Sequence, residues 1–93
     1  MRLEVEMAKK LIKEELINTI LEEIDTLLTR GVLPVSNDHL KHISEPDDIL
    51  AYLVAMKSKG LISGDLITIS TSGAPHRMTK IRLTYAGIRA LRQ

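Results

Sequence analysis

From Ala8 the apolar positions run Ala8, Leu11, Ile12, Leu16, Ile17, Ile20, Leu21, Ile24, Leu27, Leu28. Steps of three and four with adjacent pairs are one stripe of an amphipathic helix. Lys9, Lys10, Lys13, Glu14, Asn18, Glu22, Glu23 and Asp25 form the opposite face, and Gly31 is placed to end the helix, because glycine enters the left-handed conformation at little cost. The pattern predicts a first helix over about residues 7–30. "RLEVEM" alternates with the period of a strand, yet is read as an extension of that helix.

The interrupted "VLPV" predicts at most a brief edge strand, since Pro34 has no N–H for a ladder. Ser36 then opens a short second helix, "NDHLKHI", as N-cap, and Ser44 with Asp47 resembles a capping box for a third helix, "PDDILAYLVAMKSK", closed by Gly60. The two make a helix-turn-helix over about 36–60. Beyond it the period changes. "LITIS" and "MTKIRLTY" are rich in β-branched residues and alternate, with Ile67 and Ile69 on one side, and Ile81, Leu83 and Tyr85 facing away from Lys80 and Arg82. A two-stranded hairpin over about 61–85 and a closing helix over about 86–92 follow.

Ninety-three residues make one domain near the lower limit for a core without staples. The core is aliphatic, as Phe, Trp and Cys are absent and the only tyrosines are Tyr52 and Tyr85. Lack of cysteine excludes a disulfide framework and a thiol nucleophile, and agrees with the reducing cytoplasm expected for this chain. No apolar run is long enough for a membrane span. The net charge of +1 hides an asymmetry: residues 1–30 and 31–65 each carry −2, residues 66–93 carry +5, and Asp65 is the last acid.

Helix, short strand, helix, turn, helix and hairpin is the element order of a winged helix, an α+β fold in which the hairpin is the wing. "DDILAYLVAMKSKGLI", through Leu53, Met56, Gly60, Leu61 and Ile62, resembles the third helix of the ArsR and MarR winged-helix regulators. A closer resemblance, over about 47–92, is to the YjcQ-like family of small bacterial and phage proteins. It is carried by "AYLVAMKSKGLI", the wing loop "TSGAPHR" and the ending "IRLTYAGIRAL". The resemblance implies a winged-helix fold and brings no activity with it.

Winged helices that read DNA place basic and polar groups on the third helix and touch phosphate with the wing. Here the third helix opens on Asp47, Asp48 and Ala51 and turns basic only at Lys57 and Lys59, whereas the wing carries His76, Arg77, Lys80 and Arg82, with Arg89 following. The expectation is therefore a small regulator holding duplex DNA through Lys57, Lys59, His76, Arg77, Lys80, Arg82 and Arg89. The alternative is a non-catalytic module whose protein partner packs on the third helix around Val54 and Ala55. A homodimer through the first helix, with Leu3, Val5, Met7 and Leu11 as surplus apolar surface, is compatible with either. Asp38, His39 and His42 fall short of a zinc ligand set. "GLISG" lacks the spacing of a nucleophile elbow and no phosphate-cradling glycine pattern occurs. No cofactor and no enzymatic activity are expected.

Overall fold

The computed structural model describes residues 12–68 and 75–92, save the side chains of Pro75 and His76. Among the described residues three α-helices and a two-stranded antiparallel sheet make a small α+β domain: α1 (Glu14–Thr29), a single 3-10 turn (Asn37–Leu40), α2 (Pro46–Ser58), β1 (Ile62–Thr68), β2 (Pro75–Leu83) and α3 (Tyr85–Leu91). Ile17, Ile20, Leu21 and Ile24 of α1, Ile49, Leu53 and Met56 of α2, and Met78 and Ile81 of β2 form one aliphatic core, with Tyr52 as its only aromatic side chain.

The first helix is shorter than its apolar stripe predicts. Lys13 is extended (φ −100°, ψ 134°) and α1 starts at Glu14, so its 16 residues span about 24 Å rather than the 35 Å of a helix over 7–30. The start is set by a tertiary contact: the Lys13 N–H donates to the Tyr52 hydroxyl of α2 at 3.0 Å. The apolar surface expected from Leu3, Val5, Met7 and Leu11 lies outside the described residues. Both long helices end as expected, on glycine. Gly31 (φ +87°) and Gly60 (φ +79°) are left-handed, and each closes a Schellman pair, Val32 N–H to the Leu27 carbonyl and Leu61 N–H to the Met56 carbonyl.

The expected second helix is only one 3-10 turn. The Ser36 backbone N–H donates to His39 Nδ1 at 3.0 Å, which ties the turn to its first residue and satisfies a donor that α-helical winding would leave free. Asn37 faces the sheet instead of solvent, and its Oδ1 accepts the Met78 N–H at 3.0 Å. The start of α2 is also displaced by one residue: Glu45, not Ser44, is the N-cap, with Pro46 at the first helical position and no side-chain cap. Around "VLPV" one bridge forms, Val35 to Ile81, the Ile81 N–H donating to the Val35 carbonyl at 2.9 Å.

The hairpin departs most from simple alternation. Met78 and Ile81 are both buried although three apart, which a period of two forbids. Ser63 pairs with Arg82 and Asp65 with Thr79, leaving Gly64 opposite both Lys80 and Ile81. That bulge inserts one residue and resets the faces, with Lys80 at φ +56° as its left-handed member. Gly64 leaves room for the inward Met78 side chain, since a Cβ there would lie 3.1 Å from Met78 Cγ and Sδ. At the sheet's other end Thr84, not the strand, receives the chain: its Oγ1 accepts the Gly87 N–H at 3.1 Å and donates to the Gly60 carbonyl at 2.6 Å.

Candidate nucleic-acid interface

Residues directly opposite in an antiparallel pair share a face. The register Ser63–Arg82, Asp65–Thr79 and Ile67–Arg77 therefore sets these six side chains on the outward face, while Ile62–Leu83 and Leu66–Met78 face inward. Arg77 and Arg82 are both exposed there, with Ser63 and Thr79 between and beside them as hydroxyl donors. Ile67 is 42% exposed on this outer face. A shallow groove lined by Leu33, Pro34, Val35, Lys80, Ile81 and Arg82 borders it, and Leu33 stands 66% exposed at its lip.

The linear charge count treats the last third of the chain as free of acid, but folding brings acids to it. Asp38 of the 3-10 turn places Oδ2 4.0 Å from Arg77 Nη2, and Asp65 of β1 places Oδ2 3.8 Å from Lys80 Nζ. Exposed pairs of such length are worth about 0–1 kcal/mol, so they dilute the field of the face without locking the cations. Among the described residues no carboxylate lies within 4.0 Å of the Arg82 guanidinium. His76 belongs to β2, and its side chain is outside the described part.

Lys57, Lys59 and Arg89 belong to a different region. The first two are exposed in and just after the last turn of α2, and Arg89 is exposed on α3. These two elements meet where Thr84 binds the Gly60 and Leu61 backbone. The expected residues with described side chains thus divide into the hairpin, with Arg77, Lys80 and Arg82, and a junction, with Lys57, Lys59 and Arg89. Asp47, Asp48 and Ala51 are exposed along the start of α2, so the helix that would enter a groove presents carboxylates. His39 is engaged with Ser36, and His42 Nε2 lies 3.6 Å from Glu23 Oε2 on α1. Among the described residues no three His, Asp or Glu side chains come together as a metal site, and no helix is long and apolar enough to cross a membrane.

Strand alternation sets Tyr85 inward, in step with Ile81 and Leu83, but it is 75% exposed. The strand ends at Leu83 and Thr84 caps α3, which puts Tyr85 at the first helical position and turns its ring outward. A Thr before a helical stretch is an N-cap signal that could have shown this. The Arg89 guanidinium lies 5.7 Å from the centre of the Tyr85 ring.

No family model, curated protein or solved structure matches the chain. The functional reading therefore stands on the geometry of these surfaces.

Proposed function

We propose that the chain is a winged helix that holds duplex DNA through the outward face of its β1–β2 hairpin, as a small transcriptional regulator would. The observation that carries this reading is the register that puts Arg77 and Arg82 on one exposed face with Ser63, Asp65, Thr79 and Ile67, while Ile62, Met78 and Leu83 are turned inward. Guanidinium and hydroxyl donors on a narrow ribbon suit phosphate oxygens, whereas base reading needs a donor-bearing element inside a groove. The acidic start of α2 opposes that second mode. Binding is thus carried by the backbone, with little discrimination among sequences.

Duplex retained at about 50 mM salt and released as salt rises is the expected result, with a logarithmic slope near −2.7 for about three phosphate contacts. Arg77→Gln with Arg82→Gln should abolish retention while leaving the melting temperature unchanged, as both side chains are exposed. No retention by the parent chain at low salt would end the DNA reading. A protein-interaction module then takes its place, favoured by the exposed Ala51 next to Asp47 and Asp48, with Val54 and Ala55 half-buried behind it. Ala51→Asp should release a bound protein in that case without unfolding the domain.

A further inference from the structure

The closing helix carries a feature that the hairpin does not use. Tyr85, Ala86, Arg89 and Ala90 line a shallow, open hollow of about 270 Å³, smaller than the roughly 300–1,000 Å³ of a small-molecule pocket. The Arg89 guanidinium lies over the Tyr85 ring, 5.7 Å from its centre, and the rest of the lining is two alanines, small side chains that leave room for a flat group. Tyr52, the other tyrosine, is buried in the core. The helix end itself is closed by Thr84, so the side chains and not the backbone N–H groups make the site.

We propose that this hollow takes one base of a single DNA strand, stacked on the Tyr85 ring, with Arg89 pinning the ring and reaching the adjoining phosphate. Charge complementarity chooses the occupant: the Arg89 guanidinium lies 5.7 Å from the ring centre, Arg92 is exposed at the end of the same helix, and none of the residues lining the hollow is acidic. An aromatic platform beside an arginine suits single-strand binding, since every base has a face to stack. The choice of DNA rests on the reading given for the hairpin and extends it to unpaired stretches beside the duplex that the wing would hold.

Absence of tryptophan from the chain makes Tyr85→Trp a single-site reporter that keeps an aromatic face. In the full-length protein its emission should be quenched by oligothymidylate and left unchanged by an abasic strand of equal length, which offers phosphate without bases. Tyr85→Ala should weaken binding of labelled oligothymidylate by about 5- to 150-fold with an unaltered thermal melt. Equal quenching by both strands, no quenching by either, or an alanine variant that binds like the parent would overturn the proposal, and stronger quenching by oligouridylate would overturn the choice of DNA. Duplex retention depends on Arg77 and Arg82 and not on Tyr85, so failure here leaves the hairpin reading separately testable.

Discussion

Lys80 and Gly87 are two positions where the local backbone restricts which residue fits. Lys80 holds φ +56° in the hairpin bulge, a conformation that costs an L-residue about 1–2 kcal/mol and glycine almost nothing. Lys80→Gly gives up one weak ion pair with Asp65 and some unfolded-state entropy, so it should raise the melting midpoint by up to about 4 °C. Its duplex binding should fall, because the ammonium is lost. A lower midpoint would mean that the bulge is not strained. Gly87 is the reverse case: a Cβ would overlap the Leu61 carbonyl oxygen. Gly87→Ala should therefore destabilise by about 1–3 kcal/mol as α3 is pushed off the turn. Calorimetry on both variants gives opposite signs if the turn and the bulge are built as described.

At the scale of elements, the 3-10 turn works as a clasp on the sheet. Asn37 supplies the acceptor for the Met78 N–H, and Val35 the acceptor for the Ile81 N–H, so the segment 35–37 replaces a third strand along β2. Leaving the Met78 donor unsatisfied costs about 1–3 kcal/mol. Asn37→Ala should lower stability by that amount and accelerate hydrogen exchange at Met78 more than at Ile81, which keeps its backbone partner. Asn37→Asp retains an acceptor and should spare the Met78 amide. Equal protection in all three chains would show that the clasp contributes nothing. The α1 start has the same logic on a smaller scale, as the Tyr52 hydroxyl is the acceptor for the Lys13 N–H just before the helix.

For the whole molecule, the decisive quantity is the field that the fold assembles from distant parts of the chain. The C-terminal third carries +5, yet Asp38 and Asp65 reach Arg77 and Lys80, and Asp47 and Asp48 stand exposed on α2. Each carboxylate near a phosphate-binding face opposes the approach of DNA, most strongly at low ionic strength. Asp38→Asn with Asp65→Asn should strengthen duplex binding a few-fold at about 50 mM salt, with the gain shrinking as salt rises. The readout is the salt titration itself. An unchanged or weaker affinity would indicate that the hairpin face does not meet the phosphates.

Local patterns alone determined a good deal of this protein. The apolar stripe placed α1 through Leu27 and Leu28, glycine placed the ends of both long helices, and the shift to β-branched alternation placed the hairpin, because these depend on periodicity and on conformations that neighbouring residues settle among themselves. Contacts between distant segments decided the remainder. The N-terminal boundary of α1 depends on a tyrosine 39 residues away, the 3-10 turn on what β2 requires of Asn37, and the inward turn of Met78 on a bulge opposite Gly64. The candidate interface divides in the same way. Its arginines were legible as residue types, and their common outward face follows from strand register. The acids beside Arg77 and Lys80, and the exposure of Tyr85, come from parts of the chain that only folding brings together, since charge acts through space and a one-dimensional count does not measure distance.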